Sequence, residues 1–252
     1  MFSGFSLWQI LIVCGGVFLG SVVDAIGGGG GLITLPSFLL AGLPVHSAIA
    51  TNKMASAIGT TASTGRYLLR GYVSWKTVLP AIVLAAVGSH FGAELQLAVD
   101  EKYSRYLLIA VLVVVAFVML KDKSFAPSGT KSPGWQFFFV LLFSLIVGTY
   151  DGFYGPGAGT FLLLAYCKLA RMELTDASGT VKAVNLASNI GAFITMLIAG
   201  KVIVPLGIAA GIFGFLGHWL GAGLMIKNGR KIVRPIVLTV LVLLFIKILS
   251  EV

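Results

Sequence analysis

The sequence predicts an all-α polytopic membrane protein of two inverted repeats, each a glycine-broken re-entrant helical segment plus three transmembrane helices. Three observations carry this: scarce charge, long apolar runs that recur, and one pattern that occurs twice. Of 252 residues, 58% are hydrophobic and 11% charged. A soluble domain carries about a quarter charged residues, so this chain lacks the polar groups to cover a water-facing surface. Runs of roughly 18 or more apolar residues, the length that crosses a bilayer, recur along the chain. Helices satisfy their own backbone hydrogen bonds in lipid. The alternating short strands of a membrane barrel are not found in the sequence.

The internal pattern appears on a shift of about 128 residues. Gly20, Gly27, Gly29 and Gly31 then fall on Gly148, Gly155, Gly157 and Gly159. After a one-residue slip, Thr51 and Lys53 fall on Thr180 and Lys182, Gly88 and Gly92 on Gly217 and Gly221, and Lys102 and Arg105 on Lys231 and Arg234. Residues 1–120 therefore form a first repeat, 121–134 a polar linker and 135–252 a second repeat, together one transmembrane domain.

Each half holds four apolar segments, about 5–43, 46–69, 74–98 and 103–120, then 135–167, 174–199, 202–226 and 232–250. The opening segment of each half is too long for one crossing and is broken at Gly27 to Gly31 or at Gly155 to Gly159. Consecutive glycines unwind a helix, and Pro156 removes a backbone donor. Irregular backbone at membrane depth is tolerated only where protein buries it or where it lines a cavity.

The net charge of +9 would suggest nucleic acid as a partner for a soluble protein. Here the basic residues sit between apolar runs, as topology signals do, and no nucleic acid is expected. If every segment crosses once, the sixteen flanking Lys and Arg divide evenly between the two sides. If each broken segment returns to the side it came from, twelve fall on one side, and only Lys102, Arg105, Lys201 and Lys247 on the other. The second count obeys the positive-inside rule. It inverts the halves, places both termini outside the cytoplasm and puts the linker inside. Cys14 and Cys167 lie in apolar surroundings and read as packing residues. Metal-binding, nucleophilic and nucleotide motifs are not found, so no cofactor and no enzyme activity are expected.

Lys53 and Lys182 carry the most information about function. Each lies about two turns into an apolar helix and heads a polar face: Lys53, Ser56 and Thr60, and Lys182, Asn185 and Asn189, with Asn52 nearby. A charge deep in the membrane is costly and usually functional. Snorkelling to the interface is the competing reading. The glycine breaks, with Gly28, Gly29 and Gly30 in one and Gly155 and Gly157 in the other, expose backbone N–H groups at helix N-termini, which bind anions. Close helix packing explains part of the glycine count, and Gly88, Gly92, Gly217 and Gly221 read that way. Asp24 and Asp151 precede the breaks and are candidate coupling acids, partners for the lysines, or struts for unwound backbone. His46 reads as a loop residue.

The run Gly20-x3-Asp24-x2-Gly27-Gly-Gly-Gly-Gly31 followed by Pro36, then Thr51-Asn52-Lys53, then Gly148-x3-Gly152-x2-Gly155-x-Gly157-x-Gly159, then Thr180 to Ala192, resembles the TauE/SafE family, the sulfite exporter-like or toluenesulfonate uptake permease group. The resemblance covers nearly the whole chain, though Pro36 has no counterpart in the second half. It implies transport of a sulfur oxyanion or organosulfonate, such as sulfite, thiosulfate or sulfoacetate, across a cell membrane, the inner one in a Gram-negative bacterium. The expected function is a secondary transporter working by alternating access around a central site, with protons as a candidate coupling ion. A passive anion channel or exchanger, or a non-transport membrane subunit, are the alternatives. The sequence leaves the oligomeric state open.

Overall fold

The computed structural model describes residues 5–100, 102–104, 106, 133–228, 231 and 235. The elements are α1 (Leu7–Gly27), α2 (Gly31–Leu40), α3 (Val45–Leu68), α4 (Trp75–Ala98), α5 (Pro133–Phe153), α6 (Ala158–Lys168), α7 (Leu174–Ile198) and α8 (Val204–Asn228). Every regular element among the described residues is a helix. Residues 121–132 of the linker, and most of 103–120 and 232–250, lie outside the described residues.

Each opening segment is a hairpin of one long and one short helix. The capping box of Ser6 and Gln9 starts α1. The Gln9 carboxamide then also donates to the Ala41 carbonyl just past α2, at 2.8 Å. The start of α1 thus lies beside the end of α2, so the chain returns toward the end from which it came. The second half repeats this: Trp135 in the first turn of α5 donates to the Leu169 carbonyl just past α6, at 3.0 Å. Helix α1 has 21 residues, about 31 Å at 1.5 Å per residue, whereas α2 has 10 and reaches about 15 Å. The turns need glycine because Gly28, Gly29, Gly155 and Gly157 all have φ between 75° and 92°, a region that side chains with a Cβ rarely enter.

The two hairpins meet at their tips. The Thr160 hydroxyl donates to the Gly27 carbonyl at 2.9 Å. A Cβ on Gly28 would lie 2.3 Å from the Thr160 nitrogen, and one on Gly31 3.0 Å from Pro156. Around the tips the packing is crosswise. Helix α1 packs on α8 and α5 on α4; α3 packs on α8 and α7 on α4; α3 and α7 pack on each other. Exchanging equivalent helices of the two halves leaves this scheme unchanged.

Position in the bundle follows from polarity. Helices α1, α4, α5, α7 and α8 are long and apolar enough to cross a membrane. Helix α3 matches α4 in length but buries Thr51, Asn52, Lys53, Thr60, Ser63 and Thr64 inside the protein. Helix α4 instead exposes Leu79, Val83, Val87, Phe91 and Leu95, a stripe at four-residue spacing suited to lipid. His46 is corrected: it is buried in the first turn of α3, because Pro44 occupies the N-cap and starts the helix there.

The outer helices approach through small residues. A Cβ on Gly92 would lie 2.0 Å from the Thr149 carbonyl oxygen, and one on Gly221 2.3 Å from that of Val22. Gly65 faces open space. We therefore expect Gly92→Ala and Gly221→Ala each to destabilise the protein by about 1–3 kcal/mol through overpacking. Gly65→Ala should be neutral or gain up to ~1 kcal/mol from helix propensity. Thermal unfolding of the three variants in detergent tests this; equal melting temperatures would refute the close-approach account.

Candidate functional site: a polar cavity between the hairpin tips

The polar faces of α3 and α7 turn toward the tips, and a small cavity of about 40 Å³ lies between them. Helix α3 contributes Asn52, Lys53, Ser56 and Thr60, and α7 contributes Asn185 and Asn189. The first hairpin supplies Ser21, Asp24, Gly30, Gly31 and Thr34, and the second Asp151, Gly155, Ala158 and Gly159. His218 of α8 completes the lining.

Both lysines are ion-paired across the two halves. Lys53 Nζ lies 2.8 Å from Asp151 Oδ1, with Lys53 2% and Asp151 9% exposed. Lys182 Nζ lies 2.6 Å from Asp24 Oδ2 and also donates to the Asp24 main-chain carbonyl in the last turn of α1. Buried ammonium groups demand such partners, since an unpaired interior charge costs several kcal/mol. Further bonds fix the carboxylates. The Ser188 hydroxyl donates to Asp151 Oδ2 at 2.5 Å, and the Gly30 N–H donates to Asp24 Oδ1 at 3.2 Å. Lys53 also donates to Asn189 Oδ1 at 3.4 Å, joining α3 to α7.

Asp24 is the more accessible acid, at 20% exposure. His218 Nε2 stands 3.9 Å from its Oδ2. His218 Nδ1 lies 3.1 Å from the Ser63 hydroxyl. Three buried oxygens on the cavity wall, Thr34 Oγ1, Asn52 Oδ1 and Asn185 Oδ1, have no hydrogen-bond partner among the described residues. Leaving a buried polar atom unpaired costs about 1–3 kcal/mol, and here three such oxygens, one each from α2, α3 and α7, border a single cavity.

Of the residues singled out from sequence, Asn52, Lys53, Ser56, Thr60, Asn185, Asn189, Gly30, Gly155, Asp24 and Asp151 line this cavity. Lys182 is not among the lining residues; its ammonium is turned onto Asp24. Gly28 and Gly157 serve the tips instead, Gly28 against Thr160 and Gly157 as the left-handed N-cap of α6, and Gly29 is buried in the turn. Sequence reasoning missed Ser21, Thr34 and His218. Ser21 sits one turn before Asp24 on the same helical face and was legible on that ground. His218 has no local signal, since its partner Asp24 lies on a distant helix.

The two halves are alike in charge but not in detail. At the position equivalent to His218, Ser89 donates to the Ser188 carbonyl at 2.6 Å. One acid is thus held by a lysine and a serine, the other by a lysine beside an imidazole.

The ion pairs give a sharp expectation for stability. Asp151→Asn strands the Lys53 ammonium and should cost about 3–5 kcal/mol. The double variant Lys53→Met with Asp151→Leu removes both charges and should recover most of that loss. A double-mutant cycle by thermal unfolding checks it; additive losses would mean that the two groups do not stabilise each other.

The family model described as "Sulfite exporter TauE/SafE" matches residues 12–248. A "Probable membrane transporter protein ORF9" from Sinorhizobium sp is 32% identical over 247 residues, covering 98% of this chain and 94% of that one. A "Probable membrane transporter protein YfcA" from Escherichia coli (strain K12) is 32% identical, covering 92% and 87%. A "Probable membrane transporter protein" from Haemophilus influenzae is 30% identical, covering 93% and 91%. No solved structure matches.

Proposed function

The chain belongs to the sulfite exporter TauE/SafE family and is a multi-pass membrane transporter; we propose that it is a secondary carrier for a small anion, a sulfur oxyanion or organosulfonate, with the central cavity as its binding site. One observation carries this reading: two helix N-termini, at Gly30–Gly31 and at Ala158–Gly159, open onto one cavity beside an Asn of each half whose side-chain oxygen is unpaired, Asn52 and Asn185. Helix N-termini present a partial positive charge and free N–H groups to an anion. An Asn side chain that turns its amide over offers N–H donors to an oxyanion's oxygens. Since each lysine is offset by a carboxylate, attraction comes chiefly from these dipoles and donors. Such a site binds moderately, as a carrier that must release its cargo requires.

The crosswise hairpins support alternating access. Each re-enters toward the centre, and they touch at their tips, as halves inserted from opposite membrane faces would. Inverted halves rocking about a central site expose it to one side and then the other. In this reading 1–120 and 135–252 are inverted repeats joined by the 121–134 linker, both termini lie outside the cytoplasm and the linker inside. Reporter fusions at the C-terminus and within the linker test the orientation, and a cytoplasmic C-terminus would reverse it.

The binding test is a titration of the purified protein with sulfite, sulfate, thiosulfate, taurine and sulfoacetate, followed by flux of the best ligand into vesicles. Asn52→Leu and Asn185→Leu should each weaken binding about tenfold or more, the worth of one hydrogen bond to a charged group. Thermal stability should change little, because the Asn52 and Asn185 side-chain oxygens hold nothing in the fold. If no member of the series binds, or if both variants bind like the parent, the cavity is not the anion site.

A further inference from the structure

His218 is the one titratable group of the cavity lining that is not part of a lysine–carboxylate pair. Its ring nitrogens are in unlike surroundings. The Ser63 hydroxyl spends its hydrogen on the Thr60 carbonyl, 3.1 Å away. When that hydrogen stays on Thr60, the Ser63 oxygen accepts from His218 Nδ1, 3.1 Å away, and the ring is the Nδ1–H tautomer. Nε2 is left with a bare lone pair, facing the cavity and Asp24 Oδ2 across 3.9 Å. Two acceptors therefore face each other with no hydrogen between them. A proton on Nε2 would turn that contact into a charge-assisted hydrogen bond.

The charges around the ring say what that proton would do. Asp24 faces it from α1 and Lys182 from α7; Lys53 of α3 and Asp151 of α5 stand across the cavity. Arg66, also on α3, is turned outward onto Trp219, where it bonds the carbonyl and covers the ring. The two lysines offset the two carboxylates, so with a neutral imidazole the cavity carries no formal charge. One added proton makes it a cation. An imidazolium in a buried site needs counter-charge; Asp24 supplies part, and an anion in the cavity supplies the rest. Binding of proton and anion is then reciprocal, each raising the affinity for the other.

We propose that His218 Nε2 is the proton-binding site that couples this transporter to protons, one for each anion carried in the same direction. The inference rests on the cavity being the anion site. The proton comes from water on the open side, adds to the Nε2 lone pair, and leaves from the same atom on the other side; no bond to the anion forms or breaks. The single stoichiometry follows from asymmetry. At the equivalent position Ser89 cannot titrate, and Asp151 is closed off by Lys53 and Ser188. Asp24 is a positioning residue here, holding the ring's proton rather than carrying it.

The experiment uses thiosulfate, sulfate and methanesulfonate, whose own charges do not change between pH 5 and pH 8. Affinity of the parent for the best of them should rise about tenfold or more from pH 8 to pH 5, within the usual range of coupling between sites. His218→Gln, which keeps a donor toward Ser63, should bind equally at both pH values. Vesicles loaded with a pH dye should show proton movement with the anion for the parent and none for the variant. Independently, ¹⁵N spectra of the parent's imidazoles, with His46→Gln and His90→Gln to assign signals, should show His218 gaining a proton as the anion is added. Affinity that does not change with pH, or a pH dependence that survives in His218→Gln, overturns the coupling and leaves the carrier reading intact. Binding of none of the probes at any pH removes the carrier reading and the coupling together. An imidazole that stays neutral with anion bound overturns the assignment even if His218→Gln fails to fold.

Discussion

A buried ammonium group must have a counter-charge, and the two buried lysines among the described residues take theirs from the other half. Lys53 reaches Asp151, and Lys182 reaches Asp24. These pairs tie α3 to α5 and α7 to α1, joining helices that are far apart in sequence. Each half's lysine is thus neutralised by the other half's acid, so the charge balance at the centre spans both halves. The crosswise packing of α1 on α8 and α4 on α5 has the same logic. Each hairpin is clasped by helices of the other half, which brings both tips to one point. The glycines follow from that geometry, because tips that touch leave no room for a Cβ at Gly28.

The hairpin breaks, the polar faces of α3 and α7 and the close-packing role of Gly92 and Gly221 were legible because each is local. A glycine run or a polar residue at every third or fourth position is visible within one helix. Pairing of the acids with lysines was an open alternative, but which acid meets which lysine was not legible, for a physical reason. Shifting the sequence by 128 places Asp24 on Gly152 and Asp151 on Val23, so the two acids do not coincide. One residue along a helix is about 100° of rotation, and each carboxylate approaches its lysine from a different direction. Self-comparison therefore exposes the lysines and conceals their partners. His46 misled because it stands at the boundary between a loop and α3, two residues after the N-cap Pro44, where only packing decides on which side a residue falls.

Charge neutrality changes what the lysines mean. Two free ammonium groups in a low-dielectric centre would hold an anion too tightly for turnover. Two ammonium groups already paired make a polar, structured wall with little net field. On such a wall the smaller effects decide, namely helix N-termini, amide donors and the state of one imidazole. The substitutions between the halves act at this level. Ser56 and Thr60 of α3 stand where α7 has Asn185 and Asn189, and Ser89 stands where α8 has His218. The ion pairs are common to both halves and hold the fold. The residues that differ between halves make the cavity wall asymmetric, so under the carrier reading it would offer one site instead of two equivalent ones.

That division also bears on how such a protein can move. A centre held by apolar interdigitation would resist sliding, because dense cores do not deform continuously. Here the contact between tips is backbone against backbone, with the Thr160–Gly27 hydrogen bond across it. The strong bonds, the lysine pairs, end on long flexible side chains that can follow a carboxylate over a short displacement without losing it. Outside, the faces of α4 and α8 meet lipid, which offers little resistance to tilting. In the carrier reading proposed above, the same features that let this sequence fold, charges shared between halves and glycines at the contacts, would leave the two halves free to rock about the cavity that they jointly line.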